Sequence, residues 1–146
     1  MTWRIVAVGK PKLAYAFAGV AEYERRIRRF ARLEWRIVPA SDSRRESLQL
    51  LAASEGDFRL LLDLQGAQFT SREFAARVGE WRSRSRQVVG LLVGGAAGVT
   101  DEVRSRADLV WSLGRQTLAH ELALLVALEQ IYRAHTILAR LPYHRE

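Results

Sequence analysis

The chain has 146 residues, 49% of them hydrophobic, which suffices for one domain with its own core and excludes a disordered protein. It contains no Cys, so disulfide frameworks and Cys-ligated zinc or iron–sulfur sites are excluded. The net charge is +7 and its cations are almost all arginine, a planar fork suited to phosphate and base contacts, so a polyanionic partner is expected. A GC-rich genome also spells cations as Arg, and composition alone leaves both origins open.

The opening "MTWRIVAVGK" holds too short an apolar run for a signal peptide, and no later run is long enough to span a membrane, so a cytoplasmic protein is expected. Within it "WRIVAVG" reads as a buried strand ending at a glycine. From Pro11 a helix is expected, with Leu13, Phe17, Val20, Tyr23, Ile27 and Phe30 on one face. Its other side carries Arg25, Arg26, Arg28, Arg29 and Arg32. "LEWRIVPA" alternates as a half-buried second strand, and "SDSRRES" leads into a short helix ending near Gly56.

"FRLLLDLQG" is a third strand, apolar enough for the middle of a covered sheet. Thr70 and Glu73 form a capping box for the helix "SREFAARVGEWRSR". "VVGLLVGG" is a fourth strand, Thr100 or Asp101 caps a short helix, and "DLVWSLG" is a fifth strand. "TLAHELALLVALEQIYRAHTILAR" closes as a long helix, apolar around much of its girth. Strands alternating with helices make a single α/β domain on a mostly parallel sheet flanked by helices.

Such sheets bind ligands beyond the carboxyl ends of their strands, and "LDLQG", "LLVGGAAG" and "WSLGRQT" are three ends with that character. Singly each is an ordinary tight turn; together they point to a pocket. On the last helix Leu122, Leu125, Val126, Leu128 and Ile131 cover more than one face. A second copy of the chain would cover them in a symmetric dimer, and so would the domain's own first helix. The chain closes on "LPYHRE", which reads either as a frayed polar end or as a docked segment carrying part of a site.

"VAVGK", Glu22 to Arg26, "LLLDLQG", "LLVGGAAG", "WSL", "LEQIYRAHTI" and "PYHRE" occur in the order seen in the RlmH family of SPOUT-class methyltransferases, which this chain resembles over its whole length. The resemblance implies a C-terminal trefoil knot, a homodimer and S-adenosylmethionine as cofactor. It also implies methylation of N3 of a pseudouridine in large-subunit ribosomal RNA, on the large subunit or the assembled ribosome. Carried over by position, cofactor contacts fall at Leu62, Gly94, Leu113, Gly114, Arg115, Gln116, Thr117 and Leu118. No metal is required, because the cofactor's methyl group is already electrophilic. Tyr143, His144 and Arg133 are the catalytic candidates, as positioning groups or as the base that takes the imide proton, with His120 a further imidazole. Arg25, Arg26, Arg29 and Arg145 are the candidate RNA contacts. Glu129 and Arg133 can pair on one helix face, and His135 reads as an ordinary helix residue. Two positions depart from the family: Ala97, where a polar residue is common, and Leu124, where Arg is common. They keep open a ribosome-binding protein without catalysis, and an enzyme of this class acting on another RNA such as transfer RNA.

Overall fold

The computed structural model describes residues 1–84 and 87–143. In chain order the elements are β1 (Thr2–Val8), α1 (Ala14–Ile27), β2 (Arg32–Val38), α2 (Ser43–Ala53), β3 (Phe58–Ala67), α3 (Ser71–Ser83), β4 (Val88–Val93), α4 (Asp101–Arg106), β5 (Leu109–Trp111) and α5 (His120–Leu138). The five strands form one parallel sheet in the order β2-β1-β4-β3-β5. This is the expected α/β architecture.

The continuous apolar runs follow from burial on both faces, since side chains along a strand alternate between them. Trp3, Ile5 and Ala7 face a core closed by α1, α3 and α5, with Leu60, Leu91, Phe74, Val78, Leu128 and Ile131. Val6 and Val8 face the other way, against Leu50 and Leu51 of α2 and Val103 of α4. Helix α3 begins at the expected capping box, Thr70 and Glu73 exchanging both bonds. Helix α2 is capped by Asp42, which accepts from the Arg45 amide at 2.8 Å. Thr100 is the N-cap of α4 without a side-chain cap bond.

One expectation needs correction, and one alternative is decided in part. The first helix starts at Ala14 rather than Pro11, and Leu13 and Phe17 at its entry are 48% and 68% exposed, so the inward face begins only at Ala16 and Val20. The girth of α5 is covered largely within one chain. It lies against α1 and α3, with Leu124, Leu128 and Ile131 in the core and Leu125 packed onto Gly19 of α1. A Cβ at residue 19 would stand 2.7 Å from Leu125 Cδ1, so this close helix approach requires glycine. Burial of α5 therefore does not by itself demand a partner.

Strand β3 bends beyond Leu62, so that Leu62 and Ala67 both lie opposite Trp111 of β5. The Ser112 amide closes the clasp by donating to the Ala67 carbonyl at 2.9 Å. At its other end α5 stops in a Schellman turn. Leu141 N–H bonds the Thr136 carbonyl at 2.9 Å, Arg140 N–H bonds that of Ile137 at 3.1 Å, and Arg140 takes a φ of 56°. That left-handed residue, followed by Pro142, turns the chain back along its own helix.

Candidate active site

The loops after β3, β4 and β5 and the start of α5 enclose a cleft of about 500 Å³ at the carboxyl edge of the sheet. Leu62, Gly94, Leu113, Gly114, Gln116, Thr117 and Leu118 all line it, as the sequence led us to expect. Arg115 does not: its side chain is exposed and outside the lining. Asp63, Gly95, Val99 and His120 also line the cleft. Of these His120 was singled out by sequence, Asp63 and Gly95 fall within the strand-end motifs "LDLQG" and "LLVGGAAG", and Val99 follows directly on the second.

Each loop is held from behind. In the β5 loop Ser112 Oγ donates to the Gly114 carbonyl at 2.9 Å and accepts from the Gly114 amide at 3.2 Å. Gly114 there adopts a φ of 148°, a conformation L side chains rarely take. At the β3 end Asp63 receives Arg104 Nε at 3.2 Å and caps the Gln65 amide at 3.0 Å. The Asp63 hydrogen bond, acting against burial, raises the Arg104 pKa above its ordinary value. The turn after β4 rests on α2, with Ser43 Oγ donating to the Gly98 carbonyl at 3.2 Å and the Thr100 amide donating to Ser47 Oγ at 3.1 Å. At the start of α5 the Glu121 carboxylate accepts from the amides of Lys12 and Leu13, tying the β1–α1 loop to the cleft's rim.

The described part of the tail is docked, away from this chain's own cleft. Tyr143 Oη donates to Glu129 Oε1 at 3.1 Å and lies 3.4 Å from the Tyr23 hydroxyl, with its ring edge-on to Tyr132 at 4.7 Å. Glu129 also receives Arg133 Nη2 at 2.7 Å, and the Arg133 guanidinium stands 4.9 Å from the Tyr143 ring centre. Glu129 is six residues beyond Ala123, the last cleft residue on α5, roughly 9 Å along its axis. Burial first, then the Tyr23 hydrogen bond and the Glu129 charge, push the Tyr143 pKa up. A phenol so held donates rather than accepts, which favours positioning over proton removal at this residue. The Glu129 bond likewise raises the Arg133 pKa. His144 and Arg145 lie outside the described residues.

The arginines at the end of α1 and just beyond it are not equivalent. Glu22 holds Arg25 Nη2 at 2.7 Å and Arg26 Nε at 3.0 Å, and Glu24 holds Arg28 at 2.8 Å. Arg29 has no ion pair among the described residues. With Arg28, Arg32 and Met1 it lines an open concavity of about 640 Å³ at the amino edge of the sheet, opposite the cleft. Ala97 is exposed in the β4 turn, and Leu124 is buried in the core. Among the described residues no three His, Asp or Glu side chains are grouped to hold a metal, and no helix is long and apolar enough to cross a membrane.

A family model described as a predicted SPOUT methyltransferase matches residues 1–144. The chain belongs to the SPOUT methyltransferase family. Among its relatives, a "Ribosomal RNA large subunit methyltransferase H" of Thermus thermophilus is 46% identical over 145 residues, 99% of each chain. The protein of the same name from Deinococcus radiodurans is 40% identical over 145 residues, again 99% of each. A solved structure of a probable methylase family protein from Haemophilus influenzae superposes with a TM-score of 0.57 at 13% identity, covering 99% of this chain and 70% of that one. At that identity the match speaks to the fold alone. A methyltransferase needs a methyl donor, and the cleft is where this fold gathers its loops.

Proposed function

We propose that this chain transfers the methyl group of S-adenosylmethionine to N3 of a pseudouridine in large-subunit ribosomal RNA, as a cytoplasmic homodimer whose C-terminal part is threaded as a trefoil knot. The observation that carries the reading is the convergence of three separate strand ends, with seven of the eight expected contact residues, on one cleft. Two relatives that match this chain end to end are named for methylating large-subunit ribosomal RNA.

The cleft suits the donor. Its volume falls in the usual range of about 300–1,000 Å³ for small-molecule sites, and Leu62, Leu113 and Leu118 give apolar walls for a flat purine. Loop backbone around Gly114 can read the purine's edge. The bound donor supplies a methyl group made electrophilic by its sulfonium, so the protein's work is alignment and loss of one imide proton. N3 forms the new bond to carbon, the sulfur keeps the electron pair of the broken one, and the N3 proton leaves.

Tyr143 and Arg133, fixed by Glu129, form a rigid aromatic–cationic surface suited to stacking a base and holding a phosphate, with His144 and Arg145 following in sequence. Because Tyr143 is held at Glu129, six residues and roughly 9 Å along α5 beyond Ala123, where the cleft's lining ends on that helix, it serves the partner's cleft in the dimer. The apolar surface for that partner is Leu13, Phe17 and the half-buried Leu122 and Leu125. Arg29, and Arg25 and Arg26 where RNA displaces Glu22, make backbone contacts that position the particle without reading sequence.

Mass mapping of ribosomal RNA from cells with and without the gene tests the assignment. One pseudouridine that loses 14 mass units, restored by the wild-type gene, is the expected result (the mass of one methylene, roughly 14). Identical maps from both strains refute it.

A further inference from the structure

Four carboxylates stand at or behind the cleft, and three are matched. Asp63 is paired with Arg104, Asp101 with the same arginine, and Glu121 takes two backbone amides. Glu46 is different. It is only 3% exposed, and its Oε2 accepts from the Ser41 amide at 2.8 Å. Its Oε1 is buried with no hydrogen-bond partner, and no cation among the described residues pairs with it. A lone carboxylate buried in this way is costly unless something supplies the missing counter-charge.

The free oxygen faces the cleft's floor. A Cβ built on Gly95 would stand 3.3 Å from Glu46 Oε1 and 3.0 Å from Val8 Cγ1, so only a glycine hydrogen separates carboxylate from turn. Gly95 itself lines the cleft. The turn cannot drift from this charge, because Ser43 and Ser47 of the same helix pin Gly98 and Thr100. The other wall, Leu62, Leu113 and Leu118, is apolar and takes the purine, which leaves the glycine turn to face the charged end of the ligand.

We infer that Glu46 is a specificity-determining residue: its unmatched carboxylate, one glycine behind the cleft, favours a cationic donor over the neutral product that remains after methyl transfer. The inference rests on the reading that S-adenosylmethionine occupies the cleft. The donor's sulfonium carries a positive charge, and S-adenosylhomocysteine has an uncharged thioether at the same atom. At an effective dielectric of about 20, two unit charges about 8 Å apart attract by an amount worth about tenfold or more in affinity. Loss of that attraction on methyl transfer also speeds release of the product.

Titration calorimetry of wild type, Glu46→Gln and Glu46→Asp with both ligands and with sinefungin, whose amine stays cationic, tests this. Glu46→Gln keeps the shape and the acceptor for Ser41. It should weaken S-adenosylmethionine and sinefungin about tenfold while S-adenosylhomocysteine stays within about twofold. Glu46→Asp, which keeps the charge, should retain the wild-type preference. Thermal melts check folding, and Glu46→Met, uncharged and of like length, gives the same readout if the glutamine variant does not fold. Equal losses for charged and neutral ligands, or no loss for either, overturn the inference alone. Wild type that binds none of the three overturns the donor reading and the inference with it.

Discussion

Acidification from about pH 7.5 to about pH 4 should remove a defined part of this protein's stability through one residue, His135. The ring is 1% exposed, accepts the Trp3 indole N–H on Nε2 at 3.0 Å and stacks on Phe30 with centres 5.4 Å apart. An imidazole that accepts on Nε2 is neutral with its proton on Nδ1, and Nδ1 is buried without a partner. Protonation would displace the indole donor and bury a cation. Burial first, then the charges of Arg82 and the amino terminus, lower the His135 pKa from 6.5 to about 4. In the unfolded chain the ring titrates near 6.5, so between the two values the unfolded state holds the extra proton and stability rises with pH. The contribution is complete above pH 6.5 and is lost as pH falls through 4. A window of about 2.5 pH units at about 1.36 kcal/mol each is worth about 3 kcal/mol. Urea unfolding at several pH values measures it, beside His135→Gln, whose amide oxygen can take the Trp3 bond but does not titrate. The variant should be weaker at neutral pH, since it loses the ring, yet flatter across the window by about 3 kcal/mol. Equal pH slopes for the two proteins would refute the reasoning.

Replacing Arg140, held at a φ of 56°, with glycine should stabilise the fold by about 1 kcal/mol in urea melts, because the left-handed C′ position suits glycine; unchanged or reduced stability would count against it. Arg29→Glu should weaken binding to ribosomal particles and flatten its dependence on salt. Arg25→Ala should do less, because Glu22 already engages that side chain; equal effects would remove Arg29 from the footprint. Leu13→Ser with Phe17→Ser should turn a dimer into a monomer in sedimentation while leaving the core intact, since both side chains are largely exposed in the single chain. A dimer that survives the pair of changes places the interface elsewhere.

The sheet was legible because its signal is local. Each strand is a short apolar run bounded by turn residues, and α3 and α5 fall where their apolar repeats put them, while α2 begins inside the polar stretch, at Ser43, and ends at Ala53 rather than near Gly56. What periodicity cannot say is which surface covers which. The same leucines of α5 would suit a partner or the chain's own α1, and only the approach of Leu125 to Gly19 decides that much of the cover is internal. The path of the tail was hidden for another reason. A helix end is usually announced by glycine, and here an arginine occupies the left-handed position, so the reversal that docks Tyr143 on α1 and α5 has no clear mark in the sequence. Arg115 failed for want of resolution within a loop: family position names the segment, but which residues of it face the cleft depends on torsions around Ser112 and Gly114.

The residues that were missed share a position in the fold more than a chemical type. Ser43, Glu46 and Ser47 belong to "SDSRRES", which reads as a polar stretch before a helix, and Arg104 lies in none of the quoted motifs. Each becomes meaningful only when the β4 turn or the bent end of β3 is laid against it from elsewhere in the chain. The lining residues themselves contribute few polar side chains, so the cleft's shape is set by these supports behind it. A loop held on its far side loses little further freedom when a ligand arrives, and a methyl transfer that depends on alignment benefits from that rigidity. The polar groups that matter most to such a site are therefore those whose sequence context looks least like a motif, and Glu46, the one carboxylate left unmatched among them, is where that argument becomes specific.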